Sequence, residues 1–175
     1  MRSSHLIRVA TEQDAGPISH VHVESWRTTY KGIVPDTYLS ALDESARATN
    51  WREWIGLGIH IFVAFQDDAI VGFISGGPIR EKLEEYDAEL FAIYLLEQAQ
   101  RKGIGSALLR KLASQLKHDG FKSMAVWVLE SNTSSRFYEN TGAHRVISKE
   151  IEIGGVLLPV AAYGWSNLDA IVSVF

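Results

Sequence analysis

The spacing of hydrophobic and polar residues divides the first third of the chain into one strand and three helices. Residues 6–10 are predicted to form a short strand. The next helix is predicted to start at an N-cap on Asp14 and to run to about residue 30, because Pro17 is accepted only in the first turn of a helix. Shorter helices are predicted to begin at Asp36 and after a capping carboxylate at Asp43.

The middle of the chain is rich in β-forming residues. Residues 59–65 and 69–75 are predicted to pair as a hairpin. The glycine- and proline-containing segment 76–78 predicts the end of the second strand, and the charged segment 79–86 a solvated surface connection. A nearly continuous apolar run at 90–96 is typical of a strand buried in the centre of a sheet.

The C-terminal half alternates between helix and strand patterns. The predicted elements are, in order, a helix opened by residues 100–105 and ended by Gly120, a strand over 124–129, a short helix over 132–140, and a hairpin of 146–153 with 156–165. The apolar tail 170–175 is predicted to be an edge strand or part of a subunit contact. The whole order predicts an α/β domain with a mixed sheet.

Composition restricts the class of protein. Of the 175 residues, 46% are hydrophobic and 22% charged, as in soluble globular proteins, and we expect residues 1–175 to form one domain. A net charge of -4 argues against nucleic acid as a partner, because binding to nucleic acid depends on neutralising phosphates. The absence of cysteine excludes a thiolate nucleophile and a disulfide framework. We expect no signal peptide, no membrane partner and a cytoplasmic location, because no apolar run approaches ~20 residues.

Two glycines lie between the predicted buried strand and the helix that follows it. The first N–H groups of a helix have no internal partner and the helix dipole makes that end positive, so Gly103 and Gly105 suit the approach of a phosphate. Arg101 and Lys102 add positive charge beside them. This pattern alone leaves three interpretations open: a pyrophosphate site, a nucleotide-binding α/β module, and a tight turn without a ligand.

The residues around these glycines resemble the acetyl-CoA signature of the GNAT superfamily of N-acetyltransferases. The sequence Gln100-x-x-Gly103-x-Gly105 directly follows the strand at 89–96, as in that signature. Residues 132–142 read N-x-x-S-x-F-Y-E-x-x-G and are similar to the family's N-x-x-[SA]-x-x-F-Y-E-x-x-G motif, with one residue fewer before Phe137. The order of predicted elements also matches the family over about residues 6–168.

The resemblance implies both a fold and a cosubstrate. The GNAT fold is a mixed, mostly antiparallel sheet with splayed middle strands and helices on both faces, and here the splayed strands would be 90–96 and 124–129. The cosubstrate would be acetyl-CoA, with no metal. The residues implied to bind it are Leu95, Leu96, Gln100, Arg101, Lys102, Gly103, Ile104, Gly105, Ser106 and Asn132. Glu97 and Arg101 stand where many members have Pro and Gly.

The implied reaction is attack of a primary amine on the thioester of acetyl-CoA. An alkylamine has a pKa of roughly 10.4 and must lose a proton before it attacks. Glu89 is the candidate base, because the histone acetyltransferase branch carries its catalytic Glu at the same offset before the glycine signature. Glu24 is a second candidate, and a solvated Glu89 at a strand end is the structural alternative.

Tyr138 is the candidate acid for the departing thiolate. Its phenol stays protonated at pH 7, so it can donate a hydrogen bond or a proton to sulfur. The alternative is that Phe137 and Tyr138 are an aromatic pair that only packs a short helix.

The acceptor side of the site is predicted from aromatic residues. Trp26 and Tyr30 fall where the family lines its acceptor pocket, and aromatic rings attract a cationic amine. The expected acceptor is a small-molecule or peptide amine, and a homodimer is compatible with the apolar tail. The alternative function is a catalytically silent domain that binds or senses acyl-CoA.

Overall fold

The computed structural model describes residues 5–173. Residues 1–4, where no signal peptide was expected, and residues 174–175 of the predicted tail lie outside this part. The strands are β1 (Leu6–Val9), β2 (His60–Gln66), β3 (Ala69–Leu83), β4 (Tyr86–Leu95), β5 (Met124–Leu129), β6 (His144–Ile153) and β7 (Val156–Trp165). The helices are α1 (Ala15–Thr29), α2 (Asp36–Ser40), α3 (Glu44–Gly56), α4 (Ile104–His118), α5 (Ser135–Asn140) and α6 (Asp169–Ser173).

The strands form one sheet in the order β1-β2-β3-β4-β5-β7-β6. Every neighbouring pair is antiparallel except β4 and β5, which are parallel. A parallel pair needs a long crossover connection, and here α4 supplies it. The predicted mixed, mostly antiparallel sheet is therefore confirmed.

Helices cover both faces of the sheet. Along β2, Phe62 and Ala64 join the core cluster that contains α4, whereas Ile61 and Val63 join the cluster that contains α1 and α3. This alternation follows from the period of two along a strand. One apolar stripe of α4 is completely buried, and it comprises Leu108, Leu109, Leu112, Ala113 and Leu116.

The prediction that β3 ends at 76–78 was wrong, because the strand continues to Leu83 and pairs with β4. Gly76 is needed for close packing: a Cβ there would lie 2.8 Å from the Glu89 carbonyl oxygen and 2.8 Å from Leu112 Cδ2. Pro78 is tolerated because β2 pairs with β3 only as far as Gly76, which leaves β3 with a free edge beyond that point. The segment 79–86 is therefore a strand and a turn.

The predictions for the helix at 132–140 and for the edge strand at 170–175 needed correction. The short helix α5 starts at Ser135 with Ser134 as its N-cap, while Asn132 instead accepts a hydrogen bond from the Ser134 N–H at 3.1 Å. The described part of the tail forms helix α6 and not a strand, and Ile171 of this helix is buried in the core cluster that contains α4. The described part of the tail thus packs into the protein's own core.

The start of α1 is held by an ion pair. Asp14 is its N-cap residue, as predicted, but its carboxylate bonds both to the Thr11 N–H at 2.7 Å and to Arg8 Nη1 at 2.7 Å. Thr11 and Asp14 complete a capping box around a 3-10 turn that precedes the helix. None of the helices within residues 5–173 has the length and apolarity needed to cross a membrane.

Candidate active site

The central parallel pair separates after three residue pairs. β4 and β5 are in register from Ala88 opposite Met124 to Leu90 opposite Val126, and no further. β4 stays paired with β3 as far as Leu95 and β5 stays paired with β7 as far as Leu129, so the sheet divides between β4 and β5. The predicted splay is confirmed, and it opens a cleft of about 560 Å³, here called the splay cleft.

The splay cleft is lined by residues from α1, β4, β5, the glycine loop and α5. From β4 these are Leu90, Phe91, Ala92, Ile93, Tyr94 and Leu95; from the glycine loop and α4 they are Glu97, Gln100, Arg101 and Gly105; and from the β5–α5 region they include Trp127, Asn132, Ser134, Phe137 and Tyr138. Ser134 Oγ is buried and has no hydrogen-bond partner among the described residues. A buried polar atom without a partner is costly, which favours a ligand that supplies one.

The glycine loop leads into an uncapped helix. Gly103, the N-cap residue of α4, has φ +82° and makes no side-chain cap. Arg101 also has a positive φ, of 58°, which explains why a glycine suits that position. The N–H groups of the first turn of α4 thus remain available to an anion.

The two glycines of the loop have different roles. Gly103 needs its left-handed backbone conformation, so the turn itself accounts for it. Gly105 is inside α4, and a Cβ there would make only ordinary contacts of 3.6 Å with Leu95 and Phe137. Neither backbone nor packing requires glycine at 105, where alanine would favour the helix. Because Gly105 lines the splay cleft, its missing side chain makes room for a ligand.

The end of β4 is held by side chains from two other elements. Ser25 Oγ of α1 and Gln100 Nε2 each donate to the Leu95 carbonyl oxygen at 3.2 Å. The Leu96 N–H donates to the Val71 carbonyl oxygen at 2.9 Å. Gln100 therefore positions the strand that borders the splay cleft.

A second pocket of about 460 Å³, here called the side pocket, lies next to the splay cleft. Its lining residues are Trp26, Tyr30, Arg80, Glu81, Glu89, Tyr94, Trp127, Leu129, Lys149, Ile151, Ile153 and Val160. Tyr30, Tyr94 and Trp127 line both cavities, so the two meet at these three rings.

Glu89 is buried and ion-paired. Its exposed fraction is only 4%, so the interpretation of Glu89 as a solvated residue is wrong. Arg80 donates to its carboxylate from Nη2 at 2.7 Å, from Nε at 3.2 Å and from the backbone N–H at 3.1 Å. These three donors fix the carboxylate at the wall of the side pocket, and Arg80 reaches it only because β3 extends past 76–78.

The junction between the cavities contains a hydroxyl pair. Tyr30 and Tyr94 hydroxyl oxygens lie 3.1 Å apart. Burial raises the pKa of both phenols, and Tyr94 and Asn132 offset part of the rise at Tyr30 by hydrogen bonding. Tyr94 also stacks on His22, with ring centroids 5.4 Å apart. Both hydroxyls are therefore neutral at physiological pH.

Tyr138 is buried between Phe137 and Trp165, and it lines the splay cleft. Burial raises the pKa of its phenol, and the neighbouring Tyr30 raises it further. The packing predicted for Phe137 and Tyr138 exists, and it coexists with access of Tyr138 to the cleft.

The structure groups most of the predicted site residues. Leu95, Gln100, Arg101, Gly105, Asn132 and Tyr138 line the splay cleft, Trp26 and Glu89 line the side pocket, and Tyr30 lines both. Leu96, Lys102, Gly103, Ile104 and Ser106 are outside both linings, and Ile104 is a core residue. Glu24 also lies outside them and faces Arg27 at 3.5 Å.

Sequence reasoning missed Tyr94, Trp127, Arg80 and Lys149. Tyr94 carried a signal, because it is a polar aromatic residue within an otherwise apolar run. Arg80 and Lys149 carried none, since they enter the pocket only through strand pairing. Within residues 5–173, no three His, Asp or Glu side chains are grouped as they would be around a metal ion.

Comparisons with known proteins agree with this geometry. The family model described as "Acetyltransferase (GNAT) family" matches residues 22–143. The uncharacterized N-acetyltransferase YuaI of Bacillus subtilis is 46% identical over 167 residues, which cover 94% of this chain and 95% of that protein. The spermidine N(1)-acetyltransferase of Thermoplasma acidophilum is 29% identical over 147 residues, covering 77% and 85% of the two chains.

A solved structure extends the comparison to the cofactor. The PaiA N-acetyltransferase of Thermoplasma acidophilum, in complex with coenzyme A, superposes with a TM-score of 0.69 at 25% identity, covering 90% of this chain and 98% of that chain. The splayed strands, the uncapped glycine loop and these matches lead to one assignment. The chain belongs to the GNAT superfamily of N-acetyltransferases.

Proposed function

We propose that the protein transfers the acetyl group of acetyl-CoA to the primary amine of a small molecule, by direct attack while both substrates are bound. The observation that carries this proposal is the meeting of two cavities at Tyr30, Tyr94 and Trp127. A cofactor in one cavity and an amine in the other would have their reacting atoms at this junction. Direct transfer needs such proximity.

The splay cleft suits acetyl-CoA. The uncapped first turn of α4 offers N–H groups to the pyrophosphate, and Gly105 removes the Cβ that would hinder its approach. Arg101 adds positive charge at the same end of the cleft. The gap between β4 and β5 offers strand edges to the pantetheine arm. The bound cosubstrate supplies an activated acetyl thioester.

The side pocket suits the amine. Glu89 is placed on its wall with the carboxylate held by Arg80, where it would accept a proton from the incoming ammonium directly or through water. Trp26, Tyr30, Tyr94 and Trp127 supply apolar walls. The named activity of the Thermoplasma relative, spermidine acetylation, supports a small-molecule amine as the acceptor class.

Tyr138 would serve the leaving group. Its neutral phenol at the splay cleft would donate a hydrogen bond to the departing sulfur. The neutral hydroxyls of Tyr30 and Tyr94, at the junction, would donate to the negative charge that develops on the carbonyl oxygen.

A screen of acetyl-CoA consumption over a panel of amines tests the proposal, with released thiol as the readout. The panel would contain polyamines, amino acids, aminoglycosides and a short peptide. We expect thiol release above the rate of thioester hydrolysis with at least one small-molecule amine, and an acetylated product by mass spectrometry. If acetyl-CoA binds and no amine is acetylated, the protein is the catalytically silent acyl-CoA-binding domain.

A further inference from the structure

In the side pocket, an accessible cation stands in front of a buried carboxylate. Four ionised side chains line it, in the pairs Arg80 with Glu89 and Lys149 with Glu81. In the first pair the arginine side chain is 64% exposed and the glutamate 5% exposed. A ligand entering the pocket therefore meets the guanidinium before it meets the carboxylate.

Arg80 is held at two of its three side-chain nitrogen atoms, and Nη1 remains for a ligand. Its Nε and Nη2 bond to Glu89, and its Cζ lies 4.3 Å from the centre of the Phe91 ring. This leaves Nη1 without a hydrogen bond among the described residues. A cation fixed in advance loses little conformational entropy when it binds an anion.

Lys149 is held beside the other wall of the pocket. Its Nζ lies 4.3 Å from the centre of the Trp127 ring and 2.7 Å from Glu81 Oε2. The Glu81 pair is exposed to solvent, and exposed ion pairs contribute little free energy, so Lys149 can exchange this partner for a ligand. The contact with the Trp127 ring keeps the Lys149 ammonium at the pocket during this exchange.

The aromatic walls are poorly placed for a polycation. Lys149 already occupies the face of Trp127, and Arg47 lies 5.9 Å from the centre of the Trp26 ring. The buried indole N–H of Trp26 has no partner in hydrogen-bond geometry within residues 5–173. It lies near the Tyr94 hydroxyl and offsets part of the rise in the pKa of that phenol. Two cationic donors thus line the pocket, Arg80 Nη1 and Lys149 Nζ, and both lining carboxylates already have cationic partners.

We propose that the acceptor is an amine that also carries an anionic group, such as a carboxylate, and that Arg80 and Lys149 select it. This inference rests on the proposed function and names the substrate class of its acceptor site. The amine faces Glu89 and the anionic group faces Arg80 Nη1 and Lys149. Each charge of the acceptor thus lies against a side chain of the opposite charge.

Matched acceptor pairs test this proposal. Each α-amino acid would be compared with its amide, with spermidine as the polycationic reference, in the same assay of thiol release. Loss of a charge-assisted contact predicts a kcat/KM roughly tenfold or more lower for the amide of the best amino acid. Equal use of acid and amide, or a preference for spermidine, overturns the proposal.

Lys149→Met is the diagnostic variant, because methionine keeps contact with the Trp127 ring and removes the charge. We expect KM for the amino acid to rise roughly tenfold, with kcat and the KM of the amide little changed. Lys111→Met, on the exposed face of α4, is the control for net charge. An equal rise in KM for the acid and the amide, or the same effect in the control, contradicts a selective role for Lys149.

Binding measurements separate this inference from the proposed function. Calorimetric titration of each acid and amide into the protein loaded with coenzyme A reports acceptor binding without turnover. Selective binding of acids without acetylation supports the inference and overturns the proposed function. Acetylation that does not distinguish the acid from the amide supports the proposed function and overturns the inference.

Discussion

At the scale of single residues, Tyr138 shows how burial sets the protonation state of a side chain. Removal of its hydroxyl from water raises the pKa of the phenol, so the group stays protonated throughout the physiological range. A thiol has a pKa of about 8.5, so the departing thiolate is a weaker base than this phenolate. Tyr138 is therefore suited to stabilise the sulfur through a hydrogen bond.

Replacing Tyr138 with phenylalanine removes this donor and keeps the packed ring. We expect kcat to fall by roughly 10- to 10⁴-fold, because the lost contact is made mainly in the transition state. Affinity for acetyl-CoA, measured by calorimetry, should change little. The matched control is Tyr163→Phe, which removes the hydroxyl of another buried tyrosine, one that lines neither cavity. Wild-type turnover in a folded Tyr138→Phe variant would mean that Tyr138 contributes only packing.

Glu89→Gln tests the base. The amide keeps the shape of the side chain but cannot accept the ammonium proton, so turnover should fall most at pH values below the pKa of the acceptor. The loss should shrink at high pH, where the free amine is already present. A pH profile of kcat/KM measures this, and Glu24→Gln, at the candidate outside both cavities, is the control. A small loss that is equal at every pH would assign Glu89 to structure only.

At the scale of elements, the start of α4 contains one glycine that the fold requires and one that it does not. The helix needs Gly103 for its left-handed N-cap, while nothing in the helix needs Gly105. The sequence motif contains both glycines, and only the environment of each shows that the turn requires Gly103 and that neither backbone nor packing requires Gly105.

Gly105→Ala should separate the two effects. We expect the melting temperature to stay the same or rise by a few degrees, since alanine stabilises a helix by about 0.5–1 kcal/mol relative to glycine. Affinity for acetyl-CoA should fall, because the added methyl group enters the splay cleft. Gly16→Ala in α1, where a Cβ has nothing within 4 Å, is the control that should gain stability and keep affinity. Unchanged affinity in Gly105→Ala would exclude close approach of the cofactor there.

At the scale of the whole molecule, His22 joins two helices to the sheet. Its Nδ1 accepts a hydrogen bond from Trp51 Nε1 of α3 at 3.2 Å, and its ring packs against Phe73 and Tyr94. Burial lowers the pKa of His22 to about 3, and the nearby Arg47 adds to the shift. The native protein therefore needs a neutral imidazole at this point.

This buried histidine makes stability depend on pH. An unfolded histidine titrates near ~6.5, so between that pH and about 3 the unfolded chain binds the extra proton and the native state does not. His22 should thus lower the free energy of unfolding by up to roughly 1.4 kcal/mol per pH unit as the pH falls below about 6. Denaturant titrations at pH 7, 6 and 5 measure the slope.

The variant His22→Gln offers an acceptor to Trp51 without a titrating group, so its slope should be shallower. His144→Gln, which removes an exposed histidine of β6, is the control, and its slope should stay steeper than that of His22→Gln. Equal slopes in wild type and His22→Gln would mean that other groups cause the pH dependence.

The sequence by itself determined the order and type of almost every element, the glycine loop, and the family. Strand and helix periods, the Asp43 cap of α3 and the Gly154-Gly155 turn are encoded over a few residues, so local pattern reveals them. The placement of Tyr138 followed from its motif. The cytoplasmic location, the homodimer and the individual site roles stay predictions.

Only the tertiary structure decided what surrounds those residues. The extension of β3 brought Arg80 to Glu89, and the β6–β7 hairpin brought Lys149 to the same pocket. Gly76 and Pro78 resemble a strand end locally, yet one fits beneath Leu112 and the other lies on a free edge. Pairing across tens of residues depends on which strands meet and in which register, and no local period of the sequence contains that information.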